Sequence, residues 1–396
     1  MKKLLLVLLC FAWALQANTS EPRSNVCLNM IVKNEAHVIC RCLESVLPLI
    51  DSWVIVDTGS TDGTQEIIKN YMESKNIPGT LYEKPWVNFA HNRNEALQLA
   101  WDQADYLLFM DADDILTYQE NDYKRPSLLT KDAYYMRIDY SGTTYYRMQI
   151  VSTQKPFHWI GSVHEVVICD TPIDATLLSH VTMKIIGGGG RSQNNDKFER
   201  DIKVLQADLA NNPDDARNTF YLAQSYRDGH MFEEAIEWYE KRVALGGWDE
   251  EVFWSLYQIG CIQERLNMPV DVIQESYYRA FNYRPIRAEP LYRIASLHRR
   301  NHEPSKALVI ASLATKIPEP NDLIFVESWI YRFGLLFESS LCYWGLGLYQ
   351  QAFDISLHLL AKPDLPDELR DAIEYNMQFI IQGITQGKDS SSRLAG

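Results

Sequence analysis

From Val26 onward the chain alternates short apolar runs with helical patterns, and this alternation constrains the fold more than any other feature. The apolar runs are 27–32, 53–56, 81–83 and 106–110. The helical patterns between them are near 35–47, 65–73 and 89–101. Strands that alternate with helices are typical of a mainly parallel sheet covered by helices. Ligands bind such sheets at the carboxyl ends of the strands.

Three carboxylates within four positions follow the fourth apolar run. They are Asp111, Asp113 and Asp114. Carboxylates this close repel one another unless a cation lies among them. A divalent cation that also binds substrate phosphates is the usual chemical use of such a cluster. The alternative interpretation is an exposed acidic loop.

Polar residues also follow the first two strands. Asn34 and Glu35 come after the first strand, and Asp57 comes after the second. The carboxyl ends of parallel strands lie at one edge of a sheet, so we expect these residues to lie near the three aspartates. A site built from three strand ends favours the cation site over the acidic loop.

Four ordered motifs resemble the signatures of family 2 glycosyltransferases with the GT-A fold. They read MIVKNE at 30–35, VDTGSTDGT at 56–64, AHNRN at 90–94 and MDADD at 110–114. The resemblance covers about residues 26 to 200, and the most similar branch joins this domain to tetratricopeptide-like (TPR-like) helices. It implies an α/β, Rossmann-like GT-A domain followed by an all-α repeat domain. It also implies transfer of a sugar from a nucleotide-diphosphate donor, with Mn²⁺ or Mg²⁺.

The Asp-x-Asp motif is the expected metal site. A metal held by one or two carboxylates stabilises the charge that develops on the leaving diphosphate. Asp113 is the predicted direct ligand. By resemblance, Asp111 faces the ribose or the metal, and His180 supplies a further ligand. A lone histidine on a strand is otherwise a residue satisfied by hydrogen bonds.

The other donor-site roles follow from the resemblance. Asp57 accepts a hydrogen bond from the nucleotide base, Asn34 and Glu35 lie beside the nucleoside, and Arg93 approaches the base or the diphosphate. An arginine suits phosphate because its guanidinium fork pairs with two oxygens. Each role has an alternative. Asp57 caps the turn that follows it. Arg93 is an exposed helix cation, and Glu35 is an acidic residue in the first turn of a helix, where the helix dipole stabilises it.

A predicted hairpin, 134–138 with 145–150, precedes a stretch rich in aromatic and imidazole groups at 157–165. Trp159 is predicted to stack on a sugar ring. An inverting transferase needs a base within hydrogen-bond reach of the acceptor hydroxyl. Glu165 is the leading candidate and His164 the second, whereas the alternative for Glu165 is a paired strand residue.

Glycines 187–190 and the polar pair after them form another candidate segment. It either closes over the diphosphate or serves as a flexible linker.

Strand patterns end near Phe198, and helical patterns follow. Four pairs of small or apolar residues stand twelve positions apart: Ala223 and Ala235, Gly260 and Val272, Ala295 and Ala307, and Ser340 and Ala352. Their period over the first three copies is about 34 to 37 residues, which is typical of tetratricopeptide hairpins. We expect a short solenoid whose extended surface holds an acceptor protein, a partner subunit or nothing.

The predicted boundaries are a signal peptide or anchor at 1–22, the GT-A catalytic domain at 23–195, the helical repeats at 196–385 and a disordered tail at 386–396. The basic start and short apolar run at 2–15 indicate the leader, which would direct the protein to the secretory pathway or cell envelope. A misassigned start would leave it cytoplasmic. The net charge of −14 argues against nucleic acid as a partner.

The sequence therefore predicts a metal-dependent, inverting glycosyltransferase. Its donor would be a UDP- or GDP-sugar, and its acceptor a glycan, a lipid-linked saccharide or a protein. The alternative is a non-catalytic repeat scaffold whose GT-A domain only binds nucleotide or glycan. A nucleotidyltransferase is disfavoured because its glycine-rich, lysine-bearing loop is missing after the first strand.

Overall fold

The computed structural model describes residues 23–387, apart from 121–122, 124, 127, 141 and 190–196. The predicted leader and most of the predicted tail lie outside the described residues. The arginine and serine after the glycine segment, Arg191 and Ser192, also lie outside them.

The first part of the chain forms strands and helices in alternation. Its strands are β1 Val26–Val32, β2 Ser52–Asp57, β3 Gly79–Glu83, β4 Tyr106–Phe109, β5 Asp114–Tyr118, β6 Ala133–Tyr140, β7 Thr143–Ser152, β8 Phe157–Ile160, β9 Val166–Cys169 and β10 Ala175–Ile185. Its helices are α1 Ile39–Val46, α2 Thr64–Ser74 and α3 Phe89–Ala100. Strands β8 and β9 form a separate antiparallel pair.

The other eight strands form one sheet in the order β3-β2-β1-β4-β7-β6-β10-β5. Strands β1 to β4 pair in parallel, as predicted. The predicted hairpin at 134–138 and 145–150 is confirmed as β6 and β7. The β6–β7 hairpin joins β4 in antiparallel fashion, and β10 pairs in parallel with β6 and antiparallel with β5. The sheet is therefore mixed.

Helices cover both faces of the sheet. Leu28 and Met30 of β1 belong to one buried cluster with Ile39 and Leu43 of α1. Cys27, on the opposite face of the same strand, belongs to a second cluster that includes residues of α3, β8 and β9. Burial on both faces explains why β1 reads as a continuous apolar run. It also fixes the strand ends that carry the polar residues.

The second part of the chain is helical. Its helices are α4 Lys197–Asn211, α5 Ala216–Asp228, α6 Phe232–Leu245, α7 Asp249–Arg265, α8 Val270–Tyr283, α9 Glu289–Arg300, α10 Pro304–Ala314, α11 Leu335–Gly345, α12 Tyr349–Leu360 and α13 Asp367–Thr385. Successive helices from α5 to α12 pack as four hairpins. An α/β domain followed by an all-α region is therefore confirmed.

The predicted small residues lie where paired helices approach closely. Ala223 and Ala235 are fully buried, and Ser340 Oγ donates a hydrogen bond to the carbonyl of Ala352 at 3.0 Å. The second pair is different. A Cβ on Gly260 would lie 2.7 Å from the ring of Tyr277, so this tyrosine, rather than Val272, packs against the glycine.

Residues 318–329, between α10 and α11, run across the first helices of the hairpins. The ring of Phe325 lies 6.3 Å from that of Phe220 on α5 and 4.9 Å from that of Trp254 on α7. Val326 pairs with Thr144 of β7 through two main-chain hydrogen bonds of 2.7 and 2.8 Å. This segment, called the 318–329 segment below, therefore joins the helical region to the sheet.

None of the described helices combines the length and apolar character needed to cross a membrane. The six cysteines in the described part of the chain are all free thiols.

Candidate active site

Asp57 ends β2 and caps the turn after it. Its side chain is buried, and Oδ1 accepts hydrogen bonds from the main-chain N–H groups of Gly59 and Ser60 and from Nε2 of Gln65, at 2.8–3.0 Å. Oδ2 is buried and has no hydrogen-bond partner among the described residues. An unpaired buried acceptor costs about 1–3 kcal/mol. The capping interpretation is thus correct for Oδ1, while Oδ2 keeps its capacity to bind a ligand.

Asn34 and Glu35 connect the end of β1 to the same turn. Asn34 has a φ of 57°, a left-handed conformation that asparagine tolerates. Its main-chain N–H donates to Ser60 Oγ, and its Oδ1 accepts from the N–H of Thr61, both at 2.8 Å. The N–H of Glu35 donates to Thr64 Oγ1 at 2.8 Å. The two strand ends therefore form one hydrogen-bonded unit.

Asp113 lies against the glycine segment. Its Oδ2 accepts a hydrogen bond from the N–H of Gly189 at 3.0 Å. A Cβ built on Gly189 would lie 2.8 Å from Asp113 Oδ2 and 3.3 Å from Glu35 Oε2. The structure thus brings the carboxylates of Glu35 and Asp113 to the same glycine, although they are far apart in sequence.

Helix α1 and the turn before it hold this glycine segment in place. Arg41 Nη2 donates to the carbonyls of Asp113 and Gly187, at 3.1 and 2.6 Å. His37 Nε2 lies 2.6 Å from the carbonyl of Gly188. Residues 187–189 therefore lie over the aspartate motif. Gly190 lies outside the described residues.

Arg93 binds two carboxylates of the protein. Its Nη2 donates to Asp111 Oδ1 and its Nε to Glu165 Oε1, both at 2.5 Å. The Arg93 side chain is 8% exposed, and its guanidinium lies 4.9 Å from the centre of the Trp159 ring. Burial opposes its charge, but the two carboxylates outweigh burial and raise the pKa of Arg93 above its usual value. The exposed-cation alternative is therefore wrong, and in this structure the fork binds carboxylates.

Trp159 has a different place from the one predicted. Its ring is buried, packs edge-on against Phe109 of β4 and lies under Arg93. A buried ring cannot stack on a sugar, so that prediction is wrong. Trp159 instead supports the guanidinium of Arg93 from one side.

The remaining acidic residues of the motif have basic neighbours as well. Asp111 Oδ2 lies 3.8 Å from Arg147 Nη2 of β7. Asp114 is buried at the start of β5. Burial, with the nearby charge of Asp111, raises the pKa of Asp114 to about 8.

Glu165 and His164, the two candidate bases, point in different directions. Glu165 precedes β9, and its side chain is 11% exposed. Only its Oε1 is bound by Arg93, so Oε2 has no protein partner in the described part of the chain. His164 stacks on Tyr221 of α5 at 4.3 Å. The structure therefore brings Glu165 to the aspartates and places the His164 ring against the helical region.

His180 is not brought to the aspartates. It has a φ of 67° within a register shift of β10, and its Nδ1 lies 2.8 Å from Gln119 Oε1. In the β10–β5 pair, Ile185 lies opposite Asp114, and Val181 lies opposite Tyr118. His180 and Ile185 are five residues apart in β10, a separation of about 16 Å along a strand. His180 therefore lies near the end of β5 that is farther from Asp114. Its placement matches the alternative, a strand residue satisfied by a hydrogen bond.

The donor set fits a cation shared with a diphosphate. The described residues contain no group of three or more His, Cys, Asp and Glu side chains that could hold a metal by themselves. Mg²⁺ is usually bound by one or two carboxylates together with substrate phosphates. Asp113 meets that need, because no basic side chain among the described residues is bonded to its carboxylate. Asp111 is already paired with Arg93.

A protein-family model matches part of the first domain. Residues 27–125 match the model of glycosyl transferase family 2. Residues 27–125 are a family 2 glycosyltransferase domain. The match includes all four motifs and every candidate residue up to Asp113, so the predicted family is confirmed.

Curated relatives are similar over part of their length. The SPbeta prophage-derived glycosyltransferase SunS of Bacillus subtilis is 27% identical over 231 residues, which are 54% of this chain and 52% of that protein. A TPR repeat-containing protein of Synechococcus elongatus is 35% identical over 94 residues, 24% of this chain and 21% of its own. The chain spans about half the length, or less, of these relatives.

Two solved structures are similar to the helical region. The crystal structure of MamA matches 51% of this chain and 97% of its own, with 16% identity and a TM-score of 0.34. The structure of YrrB is described as that of a TPR protein with an unusual peptide-binding site. It matches 48% of this chain and 84% of its own, with 12% identity and a TM-score of 0.33. Likenesses this low carry no argument about ligands.

Several residues of the site carry no signal in the sequence. Gln65, Arg147 and Tyr221 belong to none of the four motifs. Each reaches the site through a contact that only the fold creates.

Proposed function

We propose that the protein is a glycosyltransferase that moves a sugar from a nucleotide-diphosphate donor to an acceptor hydroxyl. The observation that carries the proposal is the convergence of three strand ends. The unpaired Asp57 Oδ2, the Asn34–Glu35 turn and the Asp113 carboxylate lie at one edge of a family 2 glycosyltransferase domain. These are the groups that a base, a nucleoside and a metal-bound diphosphate require.

The donor end of the site binds through acceptor atoms. Asp57 Oδ2 would accept the ring N–H of the base, which removes the cost of its unpaired burial. Asp113 would hold Mn²⁺ or Mg²⁺ together with the diphosphate. When bound, the cation would stabilise the charge that develops on the leaving group. A UDP- or GDP-sugar would satisfy Asp57, because uracil and guanine both present a ring N–H.

The acceptor end of the site is built around Glu165. Arg93 holds Oε1 and orients the carboxylate, which leaves Oε2 to accept the proton of the acceptor hydroxyl. Base catalysis of this kind contributes about 10²–10⁴-fold in rate. The same guanidinium fixes Asp111, so one side chain links the donor and acceptor ends of the site. Attack opposite the leaving group would invert the anomeric centre. A glycan, a lipid-linked saccharide or a protein would each supply the hydroxyl.

Nucleotide binding and turnover test the proposal together. UDP and GDP, each with and without Mn²⁺, should raise the thermal midpoint of the wild-type protein, because a ligand stabilises the state that it binds. Release of nucleoside diphosphate from UDP- and GDP-sugars should follow the same metal dependence. Asp113→Asn should abolish both effects without changing the midpoint of the free protein. Asp102→Asn, an exposed residue remote from the motif, is the matched control.

The outcomes separate the two functions considered. Metal-dependent nucleotide binding without turnover of any donor or acceptor would favour the non-catalytic scaffold. No binding of any nucleotide by the wild-type protein would contradict both functions.

A further inference from the structure

The 161–165 loop, between β8 and β9, lies between the two parts of the molecule. Val163 is buried in the apolar cluster of the helical region, which also contains Leu205 of α4 and Phe220 of α5. Two positions later, Glu165 is bonded to Arg93 of α3. A single short loop is therefore anchored in both domains, and the candidate base is part of it.

Helix α5 contacts this loop at the residue before the base. The rings of His164 and Tyr221 are parallel within 9°, with their centres 4.3 Å apart. Arg217 Nη2 donates to the carbonyl of His164 at 2.8 Å, and its guanidinium lies 4.8 Å from the centre of the Tyr221 ring. Tyr221 and Arg217 thus hold both the ring and the main chain of His164.

The backbone of His164 shows why such support is needed. Its φ is 52°, in the left-handed region of the backbone that residues other than glycine adopt uncommonly. A residue persists there only when its surroundings fix it. The left-handed turn directs His164 toward α5, while Glu165 meets Arg93 on the other side. The contacts from α5 help to fix this turn, so their loss would let Glu165 shift relative to Arg93.

We propose that Tyr221 and Arg217 are positioning residues of the transferase reaction, so that the helical region is part of the catalytic apparatus. The inference rests on the proposed function, in which Glu165 is the base. Tyr221 and Arg217 act through His164 and hold Glu165 beside Arg93. A displacement of about 1 Å at a reacting group is enough to cost 10²-fold in rate.

The test compares four variants of the full chain. Tyr221→Leu removes the stacking, Arg217→Met removes the hydrogen bond to the loop, and Tyr221→Phe keeps the ring. Tyr278→Leu removes a tyrosine on α8 that is 38% exposed and has no role in the site, and it serves as the control. The assay is release of nucleoside diphosphate from UDP- and GDP-sugars with Mn²⁺ and water as acceptor. Affinity for Mn²⁺ with UDP or GDP is measured by calorimetry.

We expect kcat to fall about 100-fold in Tyr221→Leu and at least tenfold in Arg217→Met, with nucleotide affinity unchanged within about twofold. Tyr221→Phe should retain most of the activity, and Tyr278→Leu all of it. Amide hydrogen exchange should become faster at 161–167 in Tyr221→Leu and stay unchanged in β1 and β2. A role in overall folding would instead raise exchange throughout and weaken nucleotide binding.

The inference and the proposed function fail in different ways. If the wild-type protein turns over a donor and Tyr221→Leu does so equally well, the inference is wrong and the proposed function stands. If Tyr221→Leu and Tyr221→Phe lose activity and nucleotide binding together, the role is structural and the inference is also overturned. If the wild-type protein binds no nucleotide or turns over no donor, the proposed function falls, and the inference falls with it.

Discussion

The main-chain N–H of Gly189 donates a hydrogen bond to Asp113 Oδ2 over 3.0 Å, so the segment after the last strand lies directly on the proposed metal-binding carboxylate. The backbone of Gly189 is not left-handed, so an alanine there would cause no backbone strain. Its side chain would instead clash with neighbouring atoms. A Cβ would lie 2.8 Å from Oδ2, and the carboxylate or the segment would have to move.

We therefore expect Gly189→Ala to lower the affinity for Mn²⁺ with UDP or GDP by about tenfold, or about 1.4 kcal/mol. Calorimetry of the nucleotide with and without the metal measures the effect. Gly345→Ala, at the end of α11, is the control, because its Cβ would meet only Pro304, at 3.2 Å. Equal affinities in Gly189→Ala and the wild-type protein would contradict the expectation that the added methyl group displaces the Asp113 carboxylate from the metal.

Replacement of Arg93 by methionine tests the buried ion pairs. Glu165 would keep a nearly buried carboxylate without its partner, which costs about 3–5 kcal/mol in such cases. Asp111 is 34% exposed and adds little, so we expect a loss of about 3 kcal/mol in the free energy of unfolding. Denaturant titration measures it. Arg279→Met breaks an exposed pair with Glu240 and should cost at most about 1 kcal/mol. Similar losses in the two variants would contradict the interpretation of Arg93 as a buried link.

The strands that carry the site could be predicted because their burial leaves a simple pattern. The sequence predicts 27–32 and 106–110 as strands, and the structure has Val26–Val32 and Tyr106–Phe109. Both strands are almost fully buried, since helices cover both faces, and such strands read as continuous apolar runs. Their carboxyl ends locate Asn34, Glu35 and the aspartates.

The contacts within the site were not predictable because they depend on tertiary packing. Arg93 meets Asp111 and Glu165 across 18 and 72 positions, and no local pattern records such a pairing. Strand β5 is half-buried at an edge of the sheet, and its five residues form no apolar run. The left-handed backbone of His164 and its stacking on Tyr221 of α5 are likewise features that only the folded chain shows.

Asp322 of the 318–329 segment provides a test by pH. Its carboxylate is bonded to Arg287 and Arg284, at 3.0 and 2.6 Å, and is nearly inaccessible to solvent. Burial opposes its charge, but the two arginines outweigh burial and lower the pKa of Asp322 below 3.8. A lowered pKa contributes stability above the unfolded-state value, and this stability is lost as the pH falls through the folded-state value.

Asp322→Asn should therefore lower the free energy of unfolding at pH 7 by about 1–3 kcal/mol, because Arg284 loses its bonded carboxylate and the buried Arg287 keeps only that of Glu289. The difference between the variant and the wild-type protein should shrink as the pH falls below about 4. Denaturant titrations between pH 3 and pH 7 measure the curve. A difference that is independent of pH would show that the charge of Asp322 does not stabilise the segment.

Replacement of Asp57 by asparagine tests the base-binding end of the site. In Asp57→Asn, the amide oxygen can still accept from the N–H groups of Gly59 and Ser60, so the turn is expected to persist. The amide nitrogen would then replace Oδ2 and present a donor where the wild-type protein presents an acceptor. A ring N–H of uracil or guanine would face another N–H. Affinity for UDP and GDP should therefore fall by at least about tenfold, whereas CDP, whose ring N3 is an acceptor, should bind relatively better.

Calorimetry with UDP, GDP and CDP on Asp57→Asn, with Asp102→Asn as control, distinguishes the causes. A loss for UDP and GDP with a relative gain for CDP means that Asp57 reads the base through Oδ2. An equal loss for all three means that the turn has collapsed, and a lower thermal midpoint would accompany it. Unchanged affinities mean that the buried oxygen lies away from the base, in which case the donor enters the site in another orientation and only the contacts at Asp113 support the nucleotide.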